Sequence, residues 1–222
     1  MSAKAKAVIF DLDHTLIVSG IDFPEMKGKI VNYLRQRLPS SEQLDANRPT
    51  YEITQSAVQI LRRHGLSHIV PEVVEEINRI MSDTEMRHVS KARLMEGAAQ
   101  ALKRLKDAGM RIGILTRSCR RYVDEVLEAT GLSVLVDEVA ARDDCNSPKP
   151  DPTQVYLLMQ KMNVRPDETI MVGDHPVDLL CARNSGIRFV GVLTGSWGAE
   201  QVTQLGSTVI PSVRELPDLL GA

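Results

Sequence analysis

The stretch AVIFDLDHTLI, residues 7–17, decides the fold. Ala7 to Phe10 form an apolar run too short for a helix and without the alternation of a half-exposed strand, which is the pattern of a strand covered on both faces of a parallel sheet. The run ends on two acids, Asp11 and Asp13, with His14 and Thr15 directly behind them. Similar runs recur downstream as MRIGILT (110–116), VLVDEVAA (134–141), TIMVGD (169–174), RFVGVLT (188–194) and STVIPSV (207–213). Each is stopped by a polar residue, a glycine or a turn.

Helical patterns lie between them. Residues 96–108 place Ala98, Leu102, Leu105 and Ala108 on one stripe ahead of Gly109, and residues 119–130 bury Val123, Val126 and Leu127 ahead of Gly131. DPTQVYLLMQKM (151–162) predicts a helix with Asp151 as N-cap and Pro152 in the first helical position. Strand and helix in alternation at this spacing define an α/β fold with a doubly wound, Rossmann-like parallel sheet. The interval 18–90 breaks the rhythm. It carries helical stripes (Met26, Ile30, Leu34; Val73, Ile77, Ile80, Met81), four prolines at 24, 39, 49 and 71, and no convincing strand. The expected organisation is an α/β core of residues 1–17 and 91–222 with an all-helical insertion at 18–90. Ligands of such sheets bind at the carboxyl ends of the strands, and the insertion leaves the core beside Asp11 and Asp13, in a position to act as a lid.

Composition narrows the partners. A net charge of -2 and aromatics at 4%, with no basic stripe, argue against nucleic acid. Cys119, Cys145 and Cys181 form neither a CxxC pair nor a zinc pattern, which points to a reducing, cytoplasmic compartment. The apolar run before Asp11 is too short for a signal peptide or a membrane span, so no membrane partner is expected.

Chemistry gathers at four strand ends: Asp11 and Asp13 after the first strand, Thr116 after the second, Lys149 in SPKPDP after the third, and Asp174 with Asp178 in GDHPVD after the fourth. Parallel strands bring all of them to one rim. Two carboxylates ~4 Å apart repel by about 4 kcal/mol at an effective dielectric near 20, and Lys149, a divalent cation or a retained proton would relieve that. Oxygen ligands without a His/Cys set favour Mg²⁺. A magnesium ion among carboxylates, with a lysine and a threonine hydroxyl, suits a phosphate group.

These motifs, in this order, resemble the haloacid dehalogenase superfamily, and the helical insert after the first motif is similar to its C1-capped, phosphoglycolate phosphatase-like branch. The resemblance implies a phosphoric monoester hydrolase acting on a small phosphorylated metabolite. Asp11 would be the nucleophile that forms an aspartyl-phosphate, and Asp13 the general acid–base, with a pKa raised toward neutrality. Thr116 and Lys149 would hold the transferring phosphoryl group. Mg²⁺ would sit on Asp11, Asp174 and the backbone carbonyl of Asp13, with Asp178 as second carboxylate or orienting group. The rivals are a phosphomutase of the same family and a non-catalytic phospholigand-binding regulator.

Other residues weigh less. Arg117, where the family often has asparagine, is a candidate substrate contact. Arg120 and Arg121 are expected to pair with Asp124 and Glu125 at i,i+4. The cations of LRRHG (61–65) suit a helix C-terminus, while Arg48, Arg87 and His88 stay undecided. His175 reads as loop support, GSWG (195–198) as a turn, and His14, where the family usually has glycine, as a residue with a local backbone role.

Overall fold

A computed structural model describes residues 5–145, 147–195 and 206–222 of the chain. Ser196, Trp197 and Gly198 of the GSWG stretch therefore lie outside the described residues. The chain divides into two compact units, Met1–Ser19 with Val89–Ala222, and Gly20–His88.

The first unit is built on a six-stranded, all-parallel sheet: β1 (Ala7–Phe10), β4 (Arg111–Leu115), β5 (Glu138–Ala140), β6 (Thr169–Gly173), β7 (Arg188–Val192) and β8 (Thr208–Ile210). Their order is β5-β4-β1-β6-β7-β8. The chain winds outward from β1 on one side, then returns to build the other side from β6. The switch point therefore falls between β1 and β6, where ligands of doubly wound sheets bind. Every residue of β1 and β6 is buried, whereas the edge strands β5 and β8 are partly open. That gradient explains why the central strands read as unbroken apolar runs.

Helices cover both faces. On one, α6 (Thr153–Met162) and α7 (Pro176–Asn184) pack Val155, Leu158, Leu179 and Ala182 against Ala7, Ile9, Met171 and Phe189. The alternating residues Val8, Phe10, Ile112 and Val172 point to the opposite face and are equally buried. There α4 (Ala98–Asp107) packs against β4, and α8 (Leu216–Leu220) packs against α4. The helix α5 (Arg120–Thr130) ends on Gly131, whose φ of 72° stops it in the left-handed region that glycine tolerates.

Details differ from the sequence reading; of the run 134–141, for instance, only Glu138–Ala140 form a strand. The helix expected from Pro152 starts at Thr153, with Pro152 as its cap; the Asp151 carboxylate still accepts a hydrogen bond from the Thr153 N–H at 2.9 Å, so the acid serves the first turn from one position further out. A two-stranded antiparallel ribbon, β2 (Ile17–Val18) with β3 (Arg93–Leu94), borders the inserted segment. Strands of two residues carry no periodicity, so neither was expected.

The second unit holds α1 (Phe23–Arg35), α2 (Thr50–Arg63) and α3 (Val70–Met86), with α3 packed against both others. Met26, Ile30, Leu34, Ile53, Leu61, Val73 and Ile77 are buried, while Ile80 and Met81 are half-buried. Asp22 caps α1 by accepting from the Glu25 N–H at 2.8 Å. The cations left open by the sequence are engaged locally. Arg63 and His64 meet Glu42 at 3.2 and 2.9 Å, Arg48 meets Glu52 at 3.4 Å, and Arg87 meets Glu25 at 3.1 Å. His88 is buried, with Nδ1 2.8 Å from the Thr84 carbonyl.

Candidate active site

The ladder itself places Asp11. Its N–H donates to the Val172 carbonyl at 2.8 Å, which carries the β1–β6 pairing one residue past the strand and fixes Asp11 at the switch point. A tight turn follows, in which the Leu12 carbonyl accepts from the N–H groups of Leu16 and Ile17 at 2.9 and 3.1 Å. His14 occupies that turn at φ 62°, in the left-handed region where glycine is the easier residue. Its N–H donates to the Ile17 carbonyl at 2.7 Å, and its own carbonyl accepts from the Thr194 hydroxyl.

Thr116 is fixed in the same manner: its N–H donates to the Ala140 carbonyl at 3.0 Å, just beyond the β4–β5 ladder. Its hydroxyl accepts from the Ser118 N–H at 3.1 Å. On the other side of β1, Gly173 leads from β6 into Asp174 and α7. His175 is the N-cap of that helix, with Nδ1 accepting from the Val177 N–H at 3.2 Å, and Pro176 fills the first helical position. Asp178 answers by accepting from the His175 N–H at 3.1 Å. This reciprocal cap aims the other Asp178 oxygen inward.

Lys149 enters from the loop before α6 and is 2% exposed. Its ammonium donates to Asp178 at 2.7 Å and also to Asp11. Oxygens of Asp11, Asp174 and Asp178 all lie within 4.8 Å of one another, and all three residues are buried. If these acids are ionised, their charge exceeds that of Lys149 by two units, and a divalent cation would make up the difference. Hard oxygen donors in a compact set fit Mg²⁺, so the donor chemistry agrees with such an ion.

Electrostatics show the same demand for positive charge. Burial pushes the Asp11 carboxyl up to about 7, with Lys149 pulling it down and Asp178 and Asp13 adding to the rise. Burial, then Asp11 and Asp178, push Asp174 up to about 8. For Lys149, burial favours the neutral amine, but Asp11 and Asp178 outweigh it and hold the ammonium above its ordinary value.

The remaining candidates take distinct places. Asp13 is half-buried, outside the carboxylate cluster, and Oδ2 accepts from the Ser118 hydroxyl at 3.0 Å. Arg117 donates from Nε and Nη2 to the backbone carbonyl of Lys149 at 3.2 and 2.6 Å. Arg120 reaches Asp124 at 3.6 Å as expected, and it also holds Asp144 and the Val139 carbonyl, the latter at 2.8 Å. Arg121 pairs with Glu125 at 3.1 Å.

Four residues make contacts in the site that the sequence did not disclose. The buried Thr15 hydroxyl donates to Asp174 at 3.2 Å. Ser118 holds Asp13, as above. Gly195 lies so close to Asp174 that a Cβ there would stand 1.6 Å from its Oδ2, and a Cβ on Gly173 would meet Asp178 at 2.5 Å. A threonine two places past the acids and glycines beside them were visible, but only the folded loops give them partners.

The Rossmann-like sheet thus carries paired acids, a lysine and a threonine at the carboxyl ends of its strands, and comparison with known proteins names the family. The family described as haloacid dehalogenase-like hydrolase matches residues 8–192, and the chain belongs to it. The chain is 30% identical to pyrophosphatase PpaX of Bacillus velezensis, over 90% of this chain and 88% of that protein. It is 27% identical to phosphoglycolate phosphatase of Vibrio vulnificus, over 86% and 85% of the two chains. The crystal structure of a predicted phosphoglycolate phosphatase from Haemophilus somnus shares the fold, with a TM-score of 0.71 at 21% identity over 98% of each chain.

Proposed function

We propose that the protein is a magnesium-dependent phosphatase that hydrolyses a small phosphate monoester through an aspartyl-phosphate on Asp11. The observation that carries this reading is the buried constellation at the switch point, where Lys149 bridges Asp11 and Asp178 beside Asp174. The names of the relatives, a pyrophosphatase and a phosphoglycolate phosphatase, support hydrolysis of a phosphate bond.

In the first step an Asp11 carboxylate oxygen forms a bond to phosphorus while the bond to the leaving oxygen breaks. Asp13 gives its proton to that oxygen, so an alcohol departs rather than an alkoxide. In the second step Asp13 takes a proton from water as the water oxygen bonds to phosphorus. The phosphorus–Asp11 bond breaks, releasing inorganic phosphate and restoring both acids. The hydrogen bond from Ser118 keeps the Asp13 carboxyl in place between its two roles. Thr116 and Lys149 hold the phosphoryl oxygens, and Lys149 keeps the Asp11 carboxylate available for attack. Asp11, Asp174 and the Asp13 carbonyl would hold Mg²⁺, with Asp178 as a further carboxylate, and the ion would supply electrostatic stabilisation of the transferring phosphoryl group.

The helical unit at residues 18–90 of the sequence reading acts as a cap in this proposal, because the chain leaves the core shortly after Asp13 and returns before β3. The test is phosphate release from para-nitrophenyl phosphate, phosphoglycolate, pyrophosphate and a panel of sugar phosphates, with and without Mg²⁺. Metal-dependent release that is lost in Asp11→Asn supports the reading. A folded wild-type protein that releases phosphate from none of them overturns it.

A further inference from the structure

Lys149 reaches the site from the loop ahead of α6. Pro148 and Pro150 flank it, and neither has an N–H to give. The loop's carbonyls are held from inside and outside it: the Asp151 N–H donates to the Pro148 carbonyl at 3.1 Å, Asn184 of α7 donates to the Pro150 carbonyl at 2.9 Å, and Arg117 donates twice to the Lys149 carbonyl.

Arg117 is itself tied down. Its carbonyl accepts from the Arg142 guanidinium at 2.8 Å, and the Arg142 N–H donates to the Ser118 carbonyl at 3.0 Å. Arg117 directly follows Thr116, whose backbone is fixed to Ala140. A continuous path therefore runs from the end of the β4–β5 ladder through one guanidinium to the backbone of the lysine. Two donors on one carbonyl oxygen set both the distance and the orientation of that peptide, which the compact ammonium of a lysine cannot reproduce.

We propose that Arg117 is a positioning residue. Through the Lys149 carbonyl it sets where the Lys149 ammonium stands relative to Asp11 and Asp178, and it couples the two phosphoryl-binding groups, Thr116 and Lys149, as one rigid piece. This replaces the substrate contact that its place after Thr116 first suggested, because the Nε and Nη2 edge of the guanidinium faces the protein backbone. The consequence for turnover rests on the phosphatase reading above; the consequence for Lys149 does not.

The test therefore uses two readouts on Arg117→Ala and Arg117→Lys, with Arg121→Ala as a surface control. In steady-state hydrolysis of para-nitrophenyl phosphate with Mg²⁺, both Arg117 variants should lose roughly 10- to 100-fold in kcat, the scale of an ångström-level misplacement near the reacting atoms. KM should move by less than about threefold. Millimolar guanidinium ion should restore part of the kcat of Arg117→Ala and none of that of Arg121→Ala, which has nothing to restore. The second readout needs no turnover: an amine-reactive reagent followed by peptide mass spectrometry should label Lys149 faster in the Arg117 variants, while Lys6 and Lys103 label at wild-type rates. A raised KM at unchanged kcat would make Arg117 a substrate contact and overturn the proposal, as would an unchanged labelling rate at Lys149. Should the wild-type protein show no turnover, the phosphatase reading fails and the labelling comparison alone decides Arg117.

Discussion

The Nζ of Lys149 stands 2.7 Å from Oδ1 of Asp178, and the two side chains are 2% and 1% exposed. The pair is therefore a buried charge contact, reached from opposite ends of a segment that spans α6 and β6. Breaking such a contact from one side leaves an uncompensated charge indoors. Lys149→Met should therefore cost roughly 3–5 kcal/mol of folding stability at neutral pH. Lys149→Met combined with Asp178→Asn should recover a substantial part of that loss, since the stranded carboxylate is gone. Denaturant unfolding of the two variants decides it; a single variant within about 1 kcal/mol of wild type would show that the contact does not carry this energy.

The raised carboxyls of Asp11 and Asp174 make stability depend on pH. In an unfolded chain both groups ionise near 3.9, whereas in the metal-free fold burial holds them near 7 and 8. Between those limits the folded state keeps protons that the unfolded state has released. Their contribution is fully present below about pH 4 and is lost as pH rises through 7 to 8, by up to about 1.4 kcal/mol per pH unit for each group. The Tm of the metal-free protein should fall over that window and level off above it. Asp174→Asn, which removes one of the two protons, should flatten the fall. Saturating Mg²⁺ should flatten it as well, because in the proposed site the ion would be held by the ionised carboxylates. A Tm of metal-free protein that climbs steadily from pH 5 to 8 would rule this out.

Gly195 and Gly173 press against the acids from either side. A methyl group on Gly195 would overlap Asp174, and one on Gly173 would crowd Asp178. At Gly195 the clash falls on the carboxylate oxygen itself, so Gly195→Ala should displace Asp174 and weaken Mg²⁺ binding by at least about tenfold, near 1.4 kcal/mol. Calorimetric titration of the variant with Mg²⁺ reads this directly, and wild-type affinity in a folded Gly195→Ala protein would refute the proposed place of Asp174 among the ligands.

How much of this the sequence discloses follows from the range of each interaction. The central strands are legible because β1 and β6 are buried along their whole length, so their apolar runs are unbroken and end where the ladder ends. The alternation of strands with the stripes of α4, α5 and α6 then leads to a doubly wound sheet. The ribbon of β2 and β3 is invisible because two residues make no pattern. Site contacts divide in the same way. Asp11, Thr116 and Asp174 stand at strand ends, where topology alone brings them to one rim. The bonds from Thr15 to Asp174, from Ser118 to Asp13 and from Arg117 to Lys149 depend on the path of loops between elements, and no local pattern encodes it. Arg120 illustrates the limit: its i,i+4 partner Asp124 is legible, while its contact with Asp144, from another loop, is not.

Away from the site, Asp137 ties the start of β4 to the segment that enters β5. Its Oδ1 accepts from Lys106 at 2.7 Å and Arg111 at 3.1 Å, and its Oδ2 from the Ile112 N–H at 2.7 Å. Burial works against the charged form, but these three donors overcome it and hold the carboxyl below its ordinary value. A depressed acid contributes stability above its unfolded pKa and loses it as pH falls through the folded one. Lys106 and Arg111 are partly in solvent, which screens their share. Asp137→Asn should therefore cost on the order of 1–2 kcal/mol at pH 7. The gap between variant and wild type should narrow as pH drops from 5 toward 3, because the wild-type carboxyl then takes up the proton that the amide mimics. Thermal unfolding of both proteins across that range checks the sign; a gap that stays constant down to pH 3 would assign the loss to packing rather than to charge.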